Sequence, residues 1–140
     1  MGKCIGKVPA PARVPVLVSA LVTGMFLLPL PAPAQDATGA ISGSWARGDG
    51  IARVRIAPCG AQICAINTWI KDGVTDEKVG DRLVMDVKPK SASLLSGTAY
   101  DPQRKLSFNI DITVAANALR TQGCVIGRVL CKDMSWSRIR

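Results

Sequence analysis

The sequence predicts an all-β fold, a small antiparallel up-and-down β-barrel of about eight strands, with a small β-sandwich as the alternative. First, apolar and polar residues alternate along most of the chain, which is typical of antiparallel strands with one buried and one solvated face. Second, turn-forming residues separate these stretches at 48–50, 72–73, 101–103 and 127–128. Third, no long segment shows the helical period of apolar residues.

The alternation is clearest in KLSFNIDITV, residues 105–114, where apolar side chains share one face: Leu106, Phe108, Ile110, Ile112 and Val114. A period of two predicts a strand with its apolar face toward the core. Seven further segments are predicted strands on the same grounds: GSWAR (43–47), ARVRIAP (52–58), QICAINTWI (62–70), RLVMDV (82–87), SLLSGTAY (93–100), ALRTQGCV (118–125) and LCKDMSWSRI (130–139). The polar segment 71–81 is predicted to be a loop with at most one short helical turn.

The first 34 residues have the order of a cleaved secretory signal peptide. A positively charged start is followed by the apolar run 14–30 and by small residues at Ala32 and Ala34. We predict cleavage after Ala34, which leaves residues 35–140 as a single β-barrel domain in the periplasm or the medium. An uncleaved membrane anchor is the alternative, but a run of 17 residues is at the lower limit for a membrane span.

Cleavage lowers the formal net charge from +8 to +5, because the leader carries Lys3, Lys7 and Arg13. The remaining charges are spread along the chain, which is typical of a solvated surface. Export also separates the protein from nucleic acid. We therefore expect no nucleic-acid partner, no stable membrane span after cleavage, and a monomer.

Four of the five cysteines follow the leader, and an even number in an exported chain predicts disulfides. The alternatives are a metal site and a redox pair. The sequence contains no His, and neither cysteine pair has the two-residue spacing of a zinc knuckle or a thioredoxin-type motif. We predict Cys59–Cys64 and Cys124–Cys131, each across a hairpin, while the sequence alone leaves the other two pairings open.

Each predicted disulfide implies a strand register if the two cysteines face each other directly. In the first hairpin, Val54 then lies opposite Trp69 and Ile56 opposite Asn67. In the second hairpin, the apolar pairs are Val125 with Leu130 and Leu119 with Trp136, and the turn is Gly127-Arg128. Glycine at the first central position suits a type II′ turn.

The sequence predicts a protein that is not an enzyme, with no cofactor and no metal. Without His it lacks the usual general base at neutral pH. Paired carboxylates are the remaining candidates for acid–base chemistry. Asp76 and Glu77 fall in a polar loop, Asp101 precedes Pro102 in a turn, and Asp111 lies on the polar face of its strand. A structural role explains each of them.

The alternation also predicts which side chains point into the barrel. Asn67 and Arg138 are the polar residues on inward positions, and they are the candidate polar contacts of a ligand. Trp69, Phe108 and Met134 are the candidate apolar contacts, and Leu106 and Ile110 are predicted to line the same cavity. Equally, Asn67 and Arg138 would serve to satisfy each other or the backbone.

The chain resembles the exported bacterial family called domain of unknown function 2147, on these features: the Gly-x-Trp start at Gly43 and Trp45, RVRI before Cys59, Cys64 and WIKD at Trp69, Gly97, the YDP of residues 100–102, and Trp136. This resemblance implies a compact β domain and assigns no activity. A looser likeness is to lipocalin-type barrels, which open on Gly-x-Trp and carry an Arg on the last strand. That likeness implies that Gly43, Trp45 and Arg138 close the barrel floor and are structural.

Two functions from different classes follow. One is an exported barrel that binds an apolar or amphipathic small molecule in its interior, and it predicts a cavity of at least about 300 Å³. The other is a non-enzymatic interaction module of the cell envelope, such as a hydrolase inhibitor or an assembly partner. It predicts a filled core and an exposed apolar patch around Ile66 and Ile70.

Overall fold

A computed structural model describes residues 37–140, so the predicted leader lies outside the described residues. The described chain forms a short helix and eight strands: α1 (Ala37–Ile41), β1 (Gly43–Arg47), β2 (Ala52–Cys59), β3 (Gln62–Ile70), β4 (Arg82–Ser91), β5 (Leu94–Asp101), β6 (Leu106–Val114), β7 (Ala118–Val125) and β8 (Leu130–Ile139). Every strand matches a predicted segment. The largest difference is at the end of β4, which continues to Ser91.

The strands form a closed antiparallel barrel in chain order, and β8 pairs with β1. The predicted up-and-down barrel is therefore confirmed, and the sandwich alternative is wrong. Closure leaves no strand edge unpaired within the sheet. No helix among residues 37–140 is long and apolar enough to cross a membrane.

The up-and-down topology places the connections at two ends. We call the end with the loops 48–51, 71–81, 102–105 and 126–129 the mouth, and the opposite end, where α1 leads into β1, the floor. Helix α1 contacts β4, β5 and β6, on the far side of the barrel from β1, so it crosses the floor. Its Ile41 is fully buried and packs with Trp45, Leu95 and Ile112 in the core.

Trp45 and Arg138 lie together at the floor. They are direct partners across β1 and β8, and the Arg138 guanidinium carbon lies 4.1 Å from the centre of the buried Trp45 ring. Arg138 also donates from Nη1 to the carbonyl of Ser42 at 3.0 Å and from Nη2 to that of Ala40 at 2.7 Å. Carbonyls at a helix C-terminus lack partners within the helix, so Arg138 caps α1 while it covers Trp45.

Gly43 is required beside this arginine for two reasons. Its φ is +129°, a conformation that L side chains rarely adopt. A Cβ at this position would also lie 2.8 Å from Nη1 of Arg138, too close for an ordinary contact. The Gly-x-Trp start therefore makes room for the arginine of the last strand.

Both predicted disulfides are present, but the predicted register of the first hairpin is wrong. Cys59 pairs with Gln62 and Ala57 pairs with Cys64, so the Cys59–Cys64 bond joins diagonal neighbours with their Cα atoms 5.7 Å apart. The reason is the turn. Gly60, with φ +68°, allows a two-residue loop, whereas direct opposition of the cysteines would require four loop residues.

A β-bulge in the same hairpin reverses the predicted orientation of Trp69. Val54 pairs with Asn67 but Arg53 pairs with Trp69, so Thr68 is an extra residue in β3. Its hydroxyl donates to the Arg53 carbonyl at 3.2 Å. An extra residue shifts all later side chains to the other face. Trp69 therefore lies on the outer surface, with Arg53 stacked 5.1 Å from its ring centre, and its prediction as an interior ligand contact is wrong.

The second hairpin has the predicted register. Cys124 lies opposite Cys131, and the neighbouring pairs include Val125 with Leu130 and Leu119 with Trp136. The Val129 N–H donates to the carbonyl of Ile126, which places Gly127 and Arg128 at the centre of the turn. Gly127 has the expected positive φ of 66°, and Ile126 before it has an unpredicted positive φ of 53°.

Two local features differ from the sequence prediction. Helix α1 was not predicted, because five residues are too few to show a helical period. The loop 71–81 contains turns but no helix.

Replacing Arg138 by Lys will test the floor contact. We expect the free energy of unfolding in urea to fall by about 1–3 kcal/mol, because one ammonium cannot reach both carbonyls and also cover the Trp45 ring. Arg120→Lys is the matched control, since Arg120 is an exposed residue of β7, and it should change stability by less than about 0.5 kcal/mol. Equal losses in the two variants would contradict the assignment.

Candidate binding site in the barrel interior

The barrel is hollow between Trp45 and the mouth. The space has two lobes of about 240 and 500 Å³. Six residues are common to the linings of both lobes: Arg47, Leu83, Phe108, Ile110, Thr121 and Trp136. The two lobes are therefore adjoining parts of one interior.

The larger space, which we call the apolar lobe, lies against β6, β7 and β8. Its walls are mainly apolar: Leu83, Leu106, Phe108, Ile110, Val125, Leu130, Met134 and Trp136. Trp136 satisfies its indole N–H by donating to the Thr121 hydroxyl at 3.0 Å. Arg47 and Lys132 are the charged residues of this lining, and both are cations.

The smaller space, which we call the polar lobe, has apolar residues toward the floor and charged residues toward the mouth. The polar part of its lining comes mostly from the mouth loops and the strand ends next to them: Arg47, Asn67, Glu77, Asp81, Arg82, Asp101, Gln103 and Arg104. Two arginine–carboxylate contacts organise this rim.

Arg47 is the centre of the first contact. It follows Trp45 by two residues in β1, so the two side chains share the inward face. Its Nε donates to both oxygens of Asp49 at 2.9 and 3.0 Å, and its Nη1 donates to both oxygens of Glu77 at 2.9 Å. Burial lowers the pKa of Arg47, but these hydrogen bonds raise it by more, so the guanidinium remains charged. Through Glu77, Arg47 ties loop 71–81 to the barrel.

Arg104 and Asp101 form the second contact. Asp101 accepts hydrogen bonds from the backbone N–H groups of Gln103 and Arg104 at 3.0 and 3.1 Å, which shapes the 102–105 turn. Arg104 donates to Asp101 at 2.7 Å and to the carbonyl of Asp76 at 3.0 Å. The hydrogen bond to Asp101 is the main reason that the pKa of Arg104 is raised. This arginine is therefore a second tie to loop 71–81.

Three of the predicted ligand contacts line the interior. Phe108 borders both lobes and Met134 borders the apolar lobe. Asn67 borders the polar lobe, but its amide donates to the Lys78 carbonyl at 3.3 Å and its backbone pairs with Gly80 and Asp81. Asn67 thus holds the base of loop 71–81. Leu106 and Ile110 line the apolar lobe.

Arg138 does not contact either lobe, so its prediction as a ligand contact is wrong. It has the inward orientation that the alternation of β8 predicts. It lies at the floor, however, where Trp45 and α1 separate it from the cavity and where its Nη1 and Nη2 donate to backbone carbonyls. Its position along the strand, rather than its orientation, excludes it from the site.

Sequence reasoning missed Arg47 and Lys132. Arg47 follows Trp45 by two residues, and Lys132 precedes Met134 and Trp136 by two and four residues. Because alternate residues of a strand share a face, both side chains are expected on the inward face. Charged residues near strand ends usually point into solvent, and that general tendency conceals the inward orientation of these two side chains. The signal for Lys132 is its position between the inward residues Leu130 and Met134, and the signal for Arg47 is its position two residues after Trp45.

The remaining acidic candidates have structural surroundings. Asp111 accepts hydrogen bonds from Arg128 and Ser96, and these two contacts are the main reason that its pKa is lowered. Asp76 is exposed. Within residues 37–140, no three His, Cys, Asp or Glu side chains converge as metal ligands would.

The interaction-module hypothesis predicts an exposed apolar patch around Ile66 and Ile70, and part of that patch is present on the outer face of β2 and β3. Ile66 and Trp69 are 40% and 41% exposed, while Ile70 is half-buried. Trp69 replaces Ile70 in this patch because of the bulge at Thr68. Single exposed apolar residues are common on soluble proteins, so the patch is a weaker feature than the cavity.

Comparison with known proteins places the chain. A family model described as an uncharacterized protein conserved in bacteria (DUF2147) matches residues 43–138, which is more than half of the chain. The chain belongs to this family. The DUF2147 match runs from the Gly-x-Trp start in β1 to Arg138 in β8 and therefore includes every residue that lines the two lobes.

No curated protein matches the chain. Among solved structures, a redesigned β-barrel matches with 14% sequence identity and a TM-score of 0.49, covering 75% of this chain and 96% of that chain. The barrel assignment rests on the strand pairing of this chain itself.

The Arg47 contact predicts a pH dependence of stability. Burial raises the pKa of Asp49, but hydrogen bonds from the Ile51 N–H and from Arg47 hold it below its ordinary value of 3.8. A lowered pKa in the folded state stabilises the fold above about pH 4, and this contribution disappears as the pH falls through the folded-state pKa. The loss of stability caused by Asp49→Asn should therefore be larger at pH 6 than at pH 3 in urea unfolding.

Asp72→Asn is the matched control, because Asp72 lies in loop 71–81 and forms no ion pair with another residue of the described chain. The Asp49 effect should be below about 1 kcal/mol, since the contact is partly solvated. The same pH profile in both variants would show that the contact with Arg47 does not lower the pKa of Asp49.

Proposed function

We propose that this protein is an exported, monomeric, non-enzymatic barrel that binds an apolar or amphipathic small molecule in its interior. The observation that carries the proposal is the apolar lobe of about 500 Å³, which lies within the range of about 300–1,000 Å³ usual for small-molecule pockets. Its lining is mostly apolar with a few polar groups, the composition that such pockets share.

The state of the acidic groups supports binding rather than catalysis. Three carboxylates border the cavity: Glu77 is bound by Arg47, Asp101 is bound by Arg104, and Asp81 accepts a hydrogen bond from the Lys78 N–H. These carboxylates therefore take part in the hydrogen bonds that hold the mouth together. The sequence also contains no His. These features favour a site that holds a molecule without changing it.

A cavity-filling substitution tests the binding site. Met134 is half-buried and borders the apolar lobe, so Met134→Trp should fill part of the space and weaken binding of a neutral fluorescent probe, N-phenyl-1-naphthylamine, by at least about tenfold. Met134→Leu preserves the volume and should bind the probe as the unchanged protein does. Circular dichroism will establish that both variants are folded. Equal binding by both folded variants, or no binding by the unchanged protein, would refute an interior site.

Export is supported by the order of residues 1–34 and by the two disulfides. We expect the protein expressed with its complete sequence in bacteria to be recovered from the periplasm with Gln35 as its first residue. Its intact mass should be lower than that of the reduced form by the four hydrogens of two disulfides. A retained leader or free thiols in the recovered protein would contradict export.

The second candidate function is a protein-interaction module of the cell envelope. It is favoured by the exposed Ile66 and Trp69 on the outer face of β2 and β3. It ranks second because a hollow interior is not required for such a role. Native mass spectrometry separates the two, since a carrier purified without detergent should retain an adduct of a few hundred daltons that unfolding removes.

A further inference from the structure

We propose that the apolar lobe selects single-chain amphipaths with an anionic head group, and that the Lys132 ammonium contacts that head group. The inference rests on the proposed function and names the class of ligand. It is carried by three observations: the inward position of Lys132, the charges of the lobe's lining, and the exposure of the residues around it.

Lys132 lies on the inward face of β8 close to the mouth. It lies two and four residues before Met134 and Trp136, so it shares their face of the strand. All three residues line the apolar lobe. Its pairing partner on the neighbouring strand β7 is Gly123, which also lines the lobe. A Cβ at residue 123 would lie 3.0 Å from the Phe108 ring, so the glycine leaves room for that ring. Lys132 therefore lies beside the apolar wall to which Phe108 belongs.

The charges that the lobe presents are positive. Arg47 and Lys132 line it, and no carboxylate does. Arg47 forms ion pairs with Asp49 and Glu77, which do not line the apolar lobe. The Lys132 side chain forms no ion pair or hydrogen bond with another residue of the described chain, and its charge helps to lower the pKa of Asp49. Lys132 is thus the cation available to a ligand in this lobe.

The position of Lys132 orients the ligand. Lys132 and its neighbour Leu130 are exposed, whereas Ile110 deeper in the lobe is buried. An apolar chain placed against the deep residues removes apolar surface from water, and the head group then remains near the mouth beside the ammonium. An anionic head gains an ion pair there, a neutral head gains none, and a cationic head is repelled.

The polar lobe does not offer an equivalent site. Of its three arginines, Arg47 and Arg104 are already bound to Glu77 and Asp101, while Arg82 shares the lining with three carboxylates: Glu77, Asp81 and Asp101. An anion entering there would be repelled by those three carboxylates. The lining of the apolar lobe contains no carboxylate, so an anionic head group is favoured beside Lys132 on that side of the interior.

Competition among three ligands with the same chain tests the inference. Dodecanoate, dodecanol and dodecyltrimethylammonium, each below its micelle concentration, will displace N-phenyl-1-naphthylamine from the protein at pH 8 and low salt. We expect dodecanoate to bind at least about fivefold more tightly than dodecanol, and the cation to bind most weakly. The preference should shrink as salt is added.

Lys132→Gln should abolish the preference while it leaves dodecanol binding within about twofold. Lys88→Gln removes the same charge from the outer face of β4 and should retain the preference. Equal affinities for the three ligands in the unchanged protein, or the same preference in both variants, would overturn the anionic class while the interior site stands. Failure of the neutral probe and of all three ligands to bind would overturn the proposed function as well.

Discussion

The contact between Trp45 and Arg138 determines where the interior can be hollow. These residues pair directly across the first and last strands, so their contact lies on the seam that closes the barrel. The same guanidinium holds the carbonyls of Ala40 and Ser42 and so fixes α1 across the floor. A buried tryptophan, an arginine and a helix together fill one end. The remaining free volume therefore lies between this layer and the mouth.

The mouth is ordered by a different kind of interaction. Arg47 lies above Trp45 on the same face of β1, and its partly buried guanidinium is stabilised by the carboxylates that bind it. Asp49 and Glu77 provide two bidentate contacts, and Glu77 brings loop 71–81 with it. The polar groups on this side of the mouth are thus largely bound to one another. The side formed by β6, β7 and β8 keeps an apolar wall, and the character of the cavity changes from one side to the other.

Much of the fold follows from the sequence, because strand alternation and turn residues are local signals. The register of the second hairpin agrees with the prediction since its cysteines are direct partners, whereas the positive φ of Ile126 before Gly127 has no signal in the sequence. The register of the first hairpin does not agree, because a two-residue turn at Gly60 places Cys59 and Cys64 on a diagonal. The bulge at Thr68 has no comparable signature, so the orientation of Trp69 was beyond local reasoning. The site was predicted in part. The alternation of apolar and polar residues identifies Phe108 and Met134 as inward-facing, but it does not show how far along the barrel axis a residue lies. The predicted contacts therefore include Arg138 at the floor and omit Lys132 near the mouth.

The cavity itself has a physical origin in the residues that face inward. An eight-stranded barrel is just wide enough for side chains to fill, so its interior is solid or hollow according to their size. Toward the floor the inward residues are large, as with Trp45, Leu95 and Ile112. Around the two lobes several are small, among them Ala65, Thr121 and Gly123. Free volume collects where small residues face one another and no loop side chain replaces them. In the proposed function, Lys132 on the rim of that volume influences an entering head group more than the charges on the outer surface do, because it acts beside an apolar wall rather than in open water.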